Sequence, residues 1–335
     1  MSSSRTLRVA MAVLVVGAAA GAPTAAEYVE AEMTSGVVPP PVAYSVLLPD
    51  SYDEAAEPYP LVLVMHGGGG SRRMLQQAQA GIEELWAEGA VPRFVAACVS
   101  VTTGRIYMDA KAGDEMWETF LMKEFIPHIR ATYNVSNDRS RTVATGISMG
   151  GIGSLRLAFK YPEVFGAVAA MEPAMWPGLH WDEVPPQHKF RGQAAIDTLF
   201  GKPFDQAYWE ANNPASIAAA NAAKLREADL AIYLECGDSD AFGFHEAAEF
   251  LHRVLWDNRI PHEYRLVRWA DHVGRTVEER SANRFGFLAR FLNPAPPDPA
   301  AERFRKQRAL QYRAMGFEPF PFWPDEPVRI ESAGE

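Results

Sequence analysis

Gly146-Ile147-Ser148-Met149-Gly150 stands between an apolar strand-like run, Thr142 to Thr145, and a helix-like run, Gly150 to Lys160. A strand that enters a helix through one tight turn forces the residue at its apex into a strained backbone conformation. Glycines two positions to either side give such a turn its room. The apex hydroxyl is then held clear of the sheet at a helix N-terminus, where backbone amides and the helix dipole favour negative charge. This setting makes Ser148 a candidate nucleophile.

Upstream, Leu61 to Met65 is an unbroken apolar run of the kind that a parallel strand buried on both faces requires. It ends in His66-Gly67-Gly68-Gly69-Gly70, where bare backbone can approach a ligand. One amide from this loop, that of Gly68, and one from Met149 are expected to form an oxyanion hole. His66 itself is expected to be structural, hydrogen-bonding beneath the loop.

A serine nucleophile needs a base, and the base needs an orienting carboxylate, which follow the serine in the order acid, then histidine. Six histidines lie downstream: His180, His188, His245, His252, His262 and His272. Leu230 to Glu235 and Tyr264 to Trp269 read as strands, and sites in open parallel sheets lie beyond strand C-termini. His262 precedes its strand, whereas His272 lies three residues past the end and is the expected base. His245 and His252 fall on an amphipathic helix and are expected to be solvated. After the first of these strands comes Cys236-Gly237-Asp238-Ser239-Asp240. Asp240 is the expected acid, because Asp238 is better placed to hydrogen-bond its own turn. Asp271 is expected to be a solvated loop residue.

Trp117-Glu118-Thr119-Phe120-Leu121, Ile126-Pro127, Tyr133-Asn134-Val135, Gly146 to Gly151 and Tyr161-Pro162 to Phe165 together resemble the esterase D-like family of α/β-hydrolases. Val46-Leu47-Leu48-Pro49, Tyr52-Asp53 and Asn213-Pro214 extend the resemblance over residues 42 to 293. That family includes feruloyl and acetyl-xylan esterases, S-formylglutathione hydrolases and mycolyltransferases. The resemblance implies a Ser148, Asp240, His272 triad and no metal or organic cofactor. Many relatives carry Trp soon after the catalytic histidine, but here Val273-Gly274-Arg275 follows.

The strand and helix signals alternate along the chain, with strands at Tyr44 to Leu48, Leu61 to Met65, Phe94 to Val101, Thr142 to Thr145, Ala167 to Met171, Leu230 to Glu235 and Tyr264 to Trp269. Such alternation implies an α/β fold, a mostly parallel, doubly wound sheet with helices on both faces. The catalytic domain is expected over 27–293. A cap insertion at about 172–228 is rich in aromatic residues, of which Trp176 and Trp181 are candidate pocket residues. Residues 294–335 form a Pro- and aromatic-rich extension, with a helix from Ala300 to Met315 and a tail expected to lie along the domain.

Arg5 and Arg8, an apolar stretch from Val9 to Ala20 and Thr24-Ala25-Ala26 read as a signal peptide over 1–26, cleaved after Ala26. Localisation is therefore expected to be secreted or periplasmic, with no membrane attachment after cleavage. The formal net charge is −10, and loss of the leader's two arginines makes it more negative still. An acidic surface argues against nucleic acid and anionic membrane as partners. The only cysteines, Cys98 and Cys236, fall on strands about 19 Å apart in the family's sheet order, so both are expected to be buried free thiols.

The expected function is a serine carboxylesterase acting through an acyl-enzyme on a small-molecule or polysaccharide-linked ester of feruloyl or acetyl type. The alternatives are a mycolyltransferase-like acyltransferase and a non-catalytic binding protein on a hydrolase scaffold. Oligomeric state has no signature in the sequence.

Overall fold

A computed structural model describes residues 25–189 and 192–318. Its centre is an eight-stranded sheet of order β1-β2-β4-β3-β5-β6-β7-β8. The strands are β1 (Glu27–Met33), β2 (Val42–Leu48), β3 (Leu61–Met65), β4 (Val95–Val99), β5 (Thr142–Ile147), β6 (Ala167–Met171), β7 (Ala231–Gly237) and β8 (Glu263–Val267). The pairs β1·β2 and β2·β4 are antiparallel, and every other pair is parallel. The helices are α1 (Arg73–Ala87), α2 (Trp117–Phe120), α3 (Ile126–Thr132), α4 (Met149–Lys160), α5 (Gln193–Phe200), α6 (Gln206–Glu210), α7 (Pro214–Ala220), α8 (Ala222–Glu227), α9 (Phe244–Asp257), α10 (Thr276–Leu292) and α11 (Pro299–Ala314).

Continuous apolar strands arise here because the sheet is covered on both sides. Leu61, Leu63 and Met65 face the layer formed by α3, α4 and α9, while Val62 and Val64 face α1 and α10. The doubly wound architecture expected from the alternation of elements is the one found. Cys98 on β4 and Cys236 on β7 are separated by β3, β5 and β6, and both are free and buried.

Strand β1 was not among the expected elements. Its sequence, Glu27-Tyr28-Val29-Glu30-Ala31-Glu32-Met33, carries three acids and is mostly exposed or half-buried. This is how an edge strand reads, because only one side of it pairs and little of it meets the core.

Between β6 and β7 the chain makes the excursion that holds α5 to α8. Beyond the sheet, α11 forms close to the expected span, with Asp298 capping it by accepting from the Ala300 amide. None of its residues is buried, and Phe317 after it is 61% exposed. At Phe317 the expectation that the tail buries its aromatic residues against the domain is not met, since most of that residue is open to water. Phe320, Phe322 and Trp323 of the same tail, like the leader to Thr24 and Phe190 of the cap, lie outside the described residues.

Candidate active site

Strand β5 delivers Ser148 at its end, with φ 55° and ψ −115° at the N-cap of α4. A serine in this region of backbone space is strained, and the packing around it enforces the strain. A Cβ on Gly150 would run into the carbonyl of Met65 at the end of β3, and one on Gly146 would run into Gly150. Both glycines of the pentad are thus required by close backbone approach.

The loop after β7 carries Asp240, and the loop after β8 carries His272. His272 Nδ1 lies 2.8 Å from Asp240 Oδ2, and His272 Nε2 lies 3.0 Å from Ser148 Oγ. A carboxylate can only accept, so Nδ1 carries the proton and Nε2 offers its lone pair to the serine hydroxyl. Asp240 is 4% exposed, and its second oxygen accepts the Phe242 amide at 2.7 Å. The carboxylate is thereby fixed from both sides, in a place where water competes little for it.

The loop after β3 approaches Ser148 from the opposite side. A Cβ on Gly67 would lie 3.5 Å from Ser148 Cβ. In this loop the Gly69 amide donates to Thr103 Oγ1 at 3.1 Å and the Gly70 amide to the Gly67 carbonyl at 3.0 Å. Neither the Gly68 nor the Met149 amide has a partner among the described residues. These two donors are available to an oxyanion. His66 is buried beneath the loop: its Nδ1 donates to the Gly67 carbonyl at 2.7 Å and its Nε2 accepts the Val101 amide at 2.9 Å. Burial holds its pKa below the ordinary 6.5, which keeps the ring neutral and this pair of bonds intact.

Asp238 serves two turns: its Oδ1 accepts the Ser239 hydroxyl at 2.9 Å and the Trp269 amide at 2.7 Å. Asp271 is the exposed loop residue expected, and its carboxylate also ties two loops together. Its Oδ1 accepts the Ala241 amide at 3.0 Å and the His272 amide at 2.6 Å, clamping the acid loop to the base loop. His252 lies on α9 as expected and is half-buried, with its Nδ1 2.8 Å from His262 Nε2.

The cap aromatics occupy another place. Trp176 is 1% exposed and packs against Trp181, Phe200 and Trp209, with ring centroids 6.3, 5.8 and 5.9 Å away. Trp181 is half-buried against Phe204 and Trp209, with the Lys189 ammonium over its ring. These contacts make Trp176 part of the cap's core and take it out of a pocket role. Aromatic composition signals burial and recognition equally, which is why the sequence could not separate them.

Three further residues were not read from sequence as part of the site: Phe242, Glu172 and Arg280. Phe242 and Phe244 stack on each other, and both rings stand edge-on to His272. Glu172 directly follows a wholly apolar buried strand, and that abrupt charge was the one available signal.

Residues 35–287 match the family model described as "Putative esterase", and the chain belongs to that family. Esterase Rv1288 of Mycobacterium tuberculosis is 27% identical over 184 residues, which are 51% of this chain and 38% of that protein. The chain thus spans well under half the length of that curated relative. Among solved structures, a ferulic acid esterase superposes with a TM-score of 0.66 at 22% identity, covering 81% of this chain and all of the other. An S-formylglutathione hydrolase from Agrobacterium tumefaciens gives 0.60 at 17% identity, covering 79% and 97%. At these identities the two structures establish a shared α/β-hydrolase fold.

Proposed function

We propose that the chain is a serine carboxylic ester hydrolase that works through an acyl-enzyme. The observation that carries this reading is the continuous chain Ser148 Oγ, His272 Nε2, His272 Nδ1, Asp240 Oδ2, with links of 3.0 and 2.8 Å. As Ser148 attacks the ester carbonyl, His272 takes the hydroxyl proton and Asp240 stabilises the imidazolium that forms. The Gly68 and Met149 amides receive the developing oxyanion. His272 then returns the proton to the leaving alcohol, and water enters by the same route in reverse to release the acid. Every step is a proton transfer or acyl transfer that these side chains can perform themselves.

The substrate class we favour is a feruloyl- or acetyl-type ester, small or attached to a polysaccharide. Membership of the esterase family and the fold shared with a ferulic acid esterase support it. The leader read in residues 1–26 of the sequence supports a location outside the cytoplasm, and no helix among the described residues is long and apolar enough to cross a membrane.

The test is to incubate the protein with a fluorophosphonate and with a panel of acetyl, longer acyl and hydroxycinnamoyl esters. A single covalent adduct on Ser148, together with a loss of turnover of about a millionfold in Ser148→Ala, is the expected result. Labelling of a different serine, or undiminished turnover in Ser148→Ala, overturns the assignment.

A further inference from the structure

Glu172 is fully buried and adopts φ 47°, in the left-handed region that burdens any residue other than glycine. It is joined to all three loops that carry the triad. Its neighbours clasp the nucleophile turn: the Ser148 amide donates to the Met171 carbonyl at 3.0 Å, and the Ala174 amide donates to the Ser148 carbonyl at 3.1 Å. Its carboxylate opens the acid loop. Oε1 accepts the Gly237 amide at 3.0 Å, and Oε2 accepts the Cys236 thiol at 2.7 Å. That same sulfur lies 3.9 Å from Asp240 Oδ2.

The link to the base loop runs through Arg280 on α10, which is 1% exposed. One of its terminal nitrogens pairs with Glu172 Oε1, and the other donates at 2.6 Å to the carbonyl of Asp271, the residue before His272. A purely architectural ion pair would need no contact with any of these loops, and buried pairs are seldom better for stability than apolar packing. Here the strain at Glu172 and the burial of Arg280 are both spent beneath the reacting groups.

We propose that Glu172, charge-balanced by Arg280, is the positioning residue that sets Asp240 and His272 against Ser148, an inference that rests on the serine-hydrolase reading. Its role has a geometric and an electrostatic part. The groups around His272 are Ser148 on the elbow, Asp240 in front, and Asp271 and Asp238 on the adjoining turns. Behind Asp240 lie Cys236, Glu172 and Glu235 from the strand ends, then Arg280 and Arg284 from α10. Burial pushes the Cys236 thiol up, so it remains a donor between the two carboxylates. Two buried glutamates face two buried arginines, Arg265 on β8 and Glu279 on α10 add one further charge of each sign beside Glu235, and removal of one sign alone leaves a net charge that His272 feels through Asp240.

The test compares Glu172→Gln, Arg280→Gln and the double variant by kcat, KM and the pH profile of kcat/KM on a small ester that the wild type hydrolyses, well below each melting temperature. Each single variant should lose kcat by about a hundredfold, the scale of a misplacement near 1 Å, with KM within about threefold. Glu172→Gln leaves Arg280 unbalanced and disfavours the imidazolium, so the acid limb of the profile moves to lower pH. Arg280→Gln leaves Glu172 unbalanced and moves the limb to higher pH. The double variant restores the balance, so its limb returns to the wild-type position while kcat stays low. Where a single variant does not fold, the double variant, which buries no lone charge, carries the test alone. Turnover within about twofold of wild type in a folded double variant, or shifts of the same sign in both singles, overturns the proposal. A wild type that hydrolyses no ester and takes up no fluorophosphonate instead defeats the underlying hydrolase reading.

Discussion

Phe242 stands edge-on to His272, with ring centroids 4.8 Å apart and the planes at 75°, although 56% of Phe242 is open to water. Its amide is meanwhile committed to Asp240. The backbone of Phe242 therefore holds the acid while its ring forms an apolar lip beside the base, which the leaving alcohol of the proposed reaction would meet. Phe242→Ala keeps the backbone bond and removes the lip. KM should rise by about tenfold for esters of bulky or aromatic alcohols and hardly at all for methyl esters, since one lost apolar contact is worth about 1–3 kcal/mol. Equal effects across a series of alcohols sharing one acyl group would show that the lip does not touch the leaving group.

Asp240→Asn should lower kcat by about 10⁴-fold, because the amide favours the wrong imidazole tautomer and leaves the imidazolium without its counter-charge. Asp238→Asn disturbs only the hold on the Trp269 amide and the Ser239 hydroxyl, and should cost less than about tenfold. Steady-state kinetics of the two variants decide the assignment. The reverse order of severity would make Asp238 the acid.

Gly150→Ala forces a methyl group into the Met65 carbonyl, and the two backbones cannot separate without opening β3 from β5. A loss of about 3 kcal/mol is expected, the upper end for overpacking. Differential scanning calorimetry measures it. A melting temperature equal to wild type would mean that the elbow packs more loosely than the structure shows.

His66 and His262 both have pKa values held below 6.5, chiefly by burial. A histidine whose folded pKa is depressed contributes stability that is complete above its unfolded value and lost as pH falls through the folded one. Stability should therefore decline as pH drops below about 6.5. In His66→Gln that decline should be shallower, as measured by urea denaturation from pH 7 to pH 5. An unchanged slope would show that His66 does not contribute.

Edman sequencing of the exported protein should begin at Glu27, the first residue of β1. A start that retains residues 1–26 would mean that the apolar segment remains as an anchor.

The interior of the fold could be read from sequence where burial is two-sided. The expected spans of β3 and β6 match the observed strands residue for residue, since Leu61 to Met65 and Ala167 to Met171 are uninterrupted apolar runs. Edges carry a weaker signal, and β1 was missed because its exposed glutamates break the apolar pattern. The candidate triad could be read because each member sits just past a strand end, in a fixed chain order. Glu172 and Arg280 could not, because they are 108 residues apart and their pairing leaves no local periodicity. Asp271 is exposed on its loop as its adjacency to His272 implied, but the two backbone amides that its carboxylate holds leave no trace in the sequence.

The two cysteines lie on strands with three others between them, each sealed in the core. No bridge can form between them without dismantling the sheet. Maturation of this protein consequently makes no demand on the redox state of its surroundings. A version lacking residues 1–26 and produced in a reducing cytoplasm should reach the same fold as one produced in an oxidising compartment, with neither oxidant nor disulfide isomerase needed in its preparation.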